Sequence, residues 1–429
     1  MTKSHTPIRQ ISFHLNSRRI IDEVQKNRER IKELGPGIIT GGAGDDPAGI
    51  VTYTAVGATT GFSLLWLMLL STPMMVAVQD MAARVAIITG KSLPEIVSAF
   101  YSRKLSIFMV LLLSLANMIT IGADLQGIAA VLGLLTGVKP VHFLIPITAI
   151  IAYLVMFKAY RTVKKVFLGF TFVLVTYIIS AMVAHPDLKL LLIKTFIPTI
   201  QGTPAYILAA LGLLGTTISP YLLFWQADEE KEEHKTVAQA KSVKWDTAIG
   251  MVYSNLIAFC IIITGAIILF GQNKPLNTVR DAALALRPVA GESAFLLFSV
   301  GILSAGFLAI PVLAGSTAYA VADSFGWREG LDYKVSDAKG FYATFFGALI
   351  FGDLIYLSPF SAVEGLYYSQ VLDGILLPIL VGILLLLNNN KAIVGEFRNS
   401  RFNNIFGWMA LGTALLFTVA MAIQWFQNP

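Results

Sequence analysis

Long apolar stretches bounded by charges or turn residues organise this chain. They fall near 36–58, 61–88, 104–135, 140–157, 164–184, 204–227, 245–271, 293–323, 340–357, 369–387 and 405–426. A helix of roughly 20 apolar residues crosses the hydrocarbon core of a bilayer. The pattern therefore predicts eleven transmembrane helices, the longer ones accommodated by tilt. The second and eighth contain Pro73 and Pro311, tolerated where neighbouring helices satisfy the freed carbonyls.

Composition agrees with that reading. Of 429 residues, 55% are hydrophobic and 14% charged, against about 25% charged in soluble domains. A soluble enzyme, a nucleic-acid binder and a disulfide scaffold are excluded. Cys260 is the only cysteine, so no disulfide forms within the chain. The first 34 residues are charged and show no cleavable-signal pattern.

The basic residues predict an orientation. Segment 1–34 and the alternate connections hold 26 of the 32 Lys and Arg; the opposite side holds Lys139, Lys189, Lys194, Lys274, Arg280 and Arg287. That alternation is the positive-inside pattern. It places the N-terminus in the cytoplasm and the C-terminus outside an inner (plasma) membrane. The net charge of +6 is then topological and needs neither an acidic partner nor nucleic acid. Segment 10–33 reads either as an amphipathic helix on the anionic inner leaflet or as a tail held inside by its charge.

Two spans are interrupted. The first carries Gly41-Gly42-Ala43-Gly44-Asp45-Asp46-Pro47-Ala48-Gly49 at its centre. A helix through it would cost about 1 kcal/mol per glycine and about 3 for the proline. The sixth carries Gly215-Thr216-Thr217-Ile218-Ser219-Pro220. Matched breaks in two halves point to a transporter's binding site, where unwound carbonyls and helix C-terminal ends attract cations. A carboxylate such as Asp46 at mid-membrane is functional by default. Asp45 faces a water-filled vestibule or pairs with another residue. Gly42-Ala43-Gly44-Asp45 also matches the Gly-x-Gly-Asp string of intramembrane aspartyl proteases, but that chemistry needs a second Asp from an adjacent span, and none precedes this one. No enzymatic activity is expected.

At these residues the sequence resembles the NRAMP family of divalent-metal transporters. Asp46-Pro47 lies where that family has Asp-Pro-Gly-Asn, and Gln79-Asp80-Met81-Ala82-Ala83-Arg84 with Thr89-Gly90 and Leu93-Pro94-Glu95 resembles its second span. Ser369-Gln370-Val371 with Pro378, then Gly395-Glu396-Phe397 and Asn399, resemble its tenth span and the segment after it. The resemblance implies an all-α polytopic protein of LeuT-type fold, with spans one and six unwound. Its parts would be a cytoplasmic segment 1–35, a repeat 36–184, an external loop 185–203, an inverted repeat 204–388, and a loop with an eleventh helix over 389–429. It implies a metal site of Asp46, Gly49, Thr216, Ser219 and Gln370, with Asp45, Asp124, Tyr221 and Asp373 as accessory or vestibule groups.

The departures set further expectations. The family's Met-Pro-His becomes Ser219-Pro220-Tyr221, replacing a soft thioether by a hydroxyl suited to Mg²⁺, Ca²⁺ and Mn²⁺. Its Asn becomes Gly49, which removes a ligand and opens space for an ion that keeps its waters, as Mg²⁺ does. Its Glu after Asp124 becomes Gly127, and Tyr221 does not titrate near neutrality. The expectation is a carrier of hydrated Mg²⁺, accepting Mn²⁺, with weak or no proton coupling. The alternatives are a proton-coupled Mn²⁺/Fe²⁺ importer and an amino-acid or anion carrier on the same fold. Its partners are the ion and the bilayer, with no cofactor beyond the transported metal. The run 228–234, Asp-Glu-Glu-Lys-Glu-Glu-His, reads as a solvated helix end.

Overall fold

The computed structural model describes residues 44–157, 172–271, 276–331 and 333–427, with Gly41 and Gly169 besides. The expected amphipathic segment 10–33 and the centre of the first break at Gly42 and Ala43 lie outside them. The described residues form helices joined by turns: α1 Pro47–Thr60, α2 Leu65–Thr89, α3 Leu93–Phe100, α4 Arg103–Thr136, α5 Val141–Phe157, α6 Thr176–Val183 and α7 Leu188–Phe196. Then come α8 Pro204–Thr217, α9 Pro220–Glu232, α10 Ala240–Leu269, α11 Ala294–Phe325, α12 Lys339–Ile355, α13 Ala362–Asn389 and α14 Arg401–Gln427.

Among the described residues seven helical stretches are long and apolar enough to cross a membrane by themselves: α2, α4, α8 with α9, α10, α11 with the short helices before it, α13 and α14. The other four expected spans are shorter here. Only the half of the first from Pro47 onward is described, α5 and α12 have 17 residues each, and α6 follows one 3-10 turn. The expected external loop 185–203 contains α7, bent by 117° from the helical stretch Val173–Val183. The tenth span starts at Ala362, seven residues before the apolar run, because Ser361 and Glu364 form a capping box that satisfies the first free N–H groups.

Small residues set the closest packing. A Cβ on Gly265 of α10 would stand 2.8 Å from the Thr54 carbonyl oxygen of α1, and one on Gly57 would meet the Ile262 carbonyl. Likewise Gly215 of α8 meets the Gln370 carbonyl of α13, and Gly374 meets the Leu211 carbonyl. These helices touch backbone to backbone, the usual way spans associate without a hydrophobic drive. The outer faces are apolar: Leu415, Leu416, Val419 and Ile423 of α14 are exposed, as expected of lipid-facing positions. α14 is fastened by Asn403, whose Nδ2 donates to Asp80 Oδ2 at 2.5 Å; Asp80 also pairs with Arg84.

Candidate functional site at two helix breaks

Asp46 is extended (φ −68°, ψ 167°) and caps α1, its Oδ1 accepting the Gly49 N–H at 2.5 Å. Pro47 occupies the first helical position and has no N–H to satisfy. The Ala48 N–H donates to Asp124 Oδ1 on α4 at 3.1 Å, and the Ile50 N–H to the Asp46 carbonyl at 3.0 Å. Asp46 Oδ2 is buried and has no hydrogen-bond partner. Asp45 is buried too, its Oδ1 accepting from Ser254 Oγ of α10 at 2.8 Å.

The second break lies between α8 and α9, at Ile218 (φ −117°, ψ 58°) and Ser219 (φ −62°, ψ 129°). Pro220 starts α9 as Pro47 starts α1. Thr216, in the last turn of α8, carries a buried Oγ1 with no well-aligned partner, although the Tyr53 hydroxyl lies beside it. Ser219 Oγ donates to the Thr216 carbonyl at 2.9 Å.

The two breaks meet at Gly49. A Cβ there would stand 2.6 Å from Thr216 Oγ1 and 2.8 Å from Asp46 Oδ1. The expectation that Gly49 opens space is therefore corrected: the Thr216 side chain from the other break fills it. Gln370 on α13 is buried, with both amide atoms unpartnered. Asp373, one turn on, packs its Cβ 3.1 Å from the position a Cβ on Gly215 would take. Asp46, Asp124 and Asp373 lie within electrostatic reach of one another, with buried Tyr221 among them. Gly127 faces Leu366, whose Cδ1 would be 3.0 Å from a Cβ there.

Among the described residues no three His, Cys, Asp or Glu side chains converge as a metal-holding group. The unpartnered buried atoms of the expected site residues are Asp46 Oδ2, Asp124 Oδ2, Asp373 Oδ1, Thr216 Oγ1 and the Gln370 amide; apart from the amide nitrogen, which does not bind cations, all are oxygens. Sequence reasoning missed Tyr53, Ser254 and the bond between Ala48 and Asp124. Tyr53 was readable as one helical turn beyond Gly49, and Ser254 as a polar residue in an apolar run. The last joins positions 76 apart in the chain and leaves no local pattern.

The run 228–234 is a solvated helix end only in its second half, where Glu232, Glu233 and His234 are exposed. Asp228 and Glu230 are buried. Lys231 Nζ bonds Glu95 Oε2 at 2.9 Å, Asp323 Oδ1 at 3.0 Å and Glu329 Oε1 at 2.7 Å. Burial opposes it, but the Ser92 backbone N–H and Lys231 hold the Glu95 carboxyl below its ordinary value. Burial, with the Asp323 charge beside it, pushes Glu329 up to about 9.

A span broken around buried oxygen donors, one half-helix capped by a carboxylate with a free oxygen, is the arrangement of a membrane transporter's binding site. The particular family is Nramp, "Natural resistance-associated macrophage protein-like", which matches residues 37–424, and the chain belongs to it. It is 25% identical to the divalent metal cation transporter MntH of Caldanaerobacter subterraneus subsp. tengcongensis over 92% of this chain and 94% of that one. It is also 25% identical to MntH of Bacillus subtilis over 92% of each. Among solved structures it superposes on the Eremococcus coleocola manganese transporter with TM-score 0.73 at 21% identity, covering 91% of this chain and 85% of that one. With Mhp1, a nucleobase-cation-symport-1 family transporter, the TM-score is 0.56 at 14% identity over 90% of this chain and 92% of the other. The architecture is the LeuT-type fold expected from the sequence.

Proposed function

We propose that this Nramp-family protein is a secondary transporter that imports divalent metal cations, Mn²⁺ foremost, by alternating access. The oxygen-only donor set around Asp46 carries this reading: oxygen ligands suit Mg²⁺, Ca²⁺ and Mn²⁺. The names of the relatives, divalent metal cation transporter and manganese transporter, support it. In this reading Asp46 Oδ2 supplies the charge. Thr216 Oγ1, the Ser219 oxygen, the Gln370 amide oxygen and carbonyls near Gly49 and Thr216 complete the shell. Mg²⁺ is the second reading, favoured by the hydroxyl at Ser219. Mg²⁺ keeps several waters, and Thr216 occupying the space beside Gly49 favours direct contact over a hydrated ion.

Entry is from outside, the Lys- and Arg-rich connections lying in the cytoplasm. Proton coupling is weak, since Gly127 and Tyr221 offer no group titrating near neutrality. The membrane potential suffices: a divalent ion gains about 4.6 kcal/mol at 100 mV, which sustains a gradient of about a thousandfold.

Uptake into proteoliposomes of Mn²⁺, Mg²⁺ and Ca²⁺, with an imposed potential and an internal pH dye, tests this. Potential-driven Mn²⁺ uptake with little lumen acidification is expected. Proton flux locked to metal flux would overturn the coupling, and Mg²⁺ uptake in preference to Mn²⁺ would favour the second reading.

A further inference from the structure

The first turn of α1 offers two backbone donors to its cap. An N-cap side chain accepts from the second or the third helical N–H; here these belong to Ala48 and Gly49. Asp46 has two oxygens and so the capacity to bond both. Were it to do so, both oxygens would be turned into the cap, each with one of its lone-pair sites spent there. Instead Oδ1 takes Gly49 and Oδ2 is free, because the Ala48 N–H already points at Asp124 Oδ1. Asp124 is fully buried on α4, far from the chain's other breaks in sequence.

We propose that Asp124 is a positioning residue: by taking the Ala48 N–H it keeps one oxygen of the ion-binding carboxylate out of the helix cap and available to the metal. This deepens the function proposed above and rests on Asp46 being the ligand. The role requires a hydrogen-bond acceptor, not a charge or a titrating group. Asn supplies that acceptor through its amide oxygen, and Ala does not.

Asp124→Asn and Asp124→Ala are compared with the unchanged protein for Mn²⁺ uptake in proteoliposomes and for Mn²⁺ binding by calorimetry in detergent. Asp124→Asn should keep its half-saturating Mn²⁺ within about twofold and its pH profile unchanged. Asp124→Ala should raise half-saturation about five- to tenfold, the effect of losing one cap hydrogen bond, with little change in maximal rate. If Asp124→Asn is as impaired as Asp124→Ala, or loses a pH dependence the unchanged protein shows, the proposal is overturned. Should Asp124→Ala fail to fold, Asp124→Leu, close in size but without an acceptor, takes its place, and an unchanged half-saturation in it overturns the proposal. Asp46→Ala in the same assay separates the two readings. If it transports normally the ion site is misplaced, whereas the Asp124 variants report only on how Asp46 is held.

Discussion

The helix α9 has acids near both of its ends, buried at the first and partly buried at the second, and the two groups are held in different ways. Around its N-terminal end, Asp45, Asp46 and Asp124 accept, among the described residues, from neutral donors, a serine hydroxyl and backbone N–H groups. One oxygen each of Asp46 and Asp124 has no partner. At its C-terminal end, Glu95, Asp323 and Glu329 converge on the ammonium of Lys231. A buried charge without a partner is costly, and pairing within the protein offsets that cost. The second cluster holds a cation of the protein's own, although Asp323 Oδ2 and Glu329 Oε2 also lack partners, while the first has no Lys or Arg bonded to it among the described residues and, on the function proposed above, would take its cation from outside.

The contrast breaks most visibly if its central charge is removed. Asp46→Ala is expected to abolish divalent-cation uptake, more than about a hundredfold in initial rate, with thermal stability in detergent nearly retained; isotope or dye-quench uptake reads the first and melting the second. Loss of one cap is worth only about 1 kcal/mol of stability. The opposite signature is expected for Lys231→Met, which takes the cation away from Glu95, Asp323 and Glu329. These pairs are only partly buried, Lys231 being 23% and Glu95 36% exposed, so the cost lies below the about 3–5 kcal/mol of a fully buried pair; a fall in melting temperature should still precede any change in ion selectivity. A selectivity change with unaltered melting would erase the distinction between the clusters.

Smaller changes sharpen it. Gly49→Ala puts a methyl 2.6 Å from Thr216 Oγ1 and 2.8 Å from Asp46 Oδ1. It should weaken Mn²⁺ uptake about tenfold in half-saturation, read from initial rates across a Mn²⁺ series; an unchanged half-saturation would separate Gly49 from the ion site. The smallest effect concerns pH. Glu329 is pushed up to about 9 from an ordinary 4.5, by burial first and then by Asp323. The folded state holds this proton more tightly, so its contribution to stability is full below about pH 4.5 and is lost as pH rises through about 9. Glu329→Gln keeps an acceptor for Lys231 and should flatten the decline in melting temperature across that window.

Much of this was legible in the sequence because membrane helices announce themselves by composition. Long apolar runs, proline at the start of a half-helix and glycine beside a carboxylate placed α4, α10 and both breaks within a few residues. The first half of the run 228–234 was misread because its charge density resembles a solvated surface, and only the fold buries Asp228 and Glu230 and brings Glu95, Asp323 and Glu329 to Lys231. The roominess inferred at Gly49 failed for a related reason. Residue size describes one side of a contact, and the Thr216 side chain that fills the other side comes from 167 positions further along the chain.

The seam between α1 and α10 has a mechanical consequence. At Gly57 and Gly265 main chain rests on main chain, with no side chain between them to compress or re-rotamer. On the function proposed above, the pair would travel as one lever. Rotation passing an ion across the membrane would then fall to the chain around Asp45 and Asp46 and to Ile218 and Ser219, the residues proposed to bring oxygens to the ion. Joint and grip would coincide, so that an ion reshaping its own coordination would also reset the hinge on which it moves.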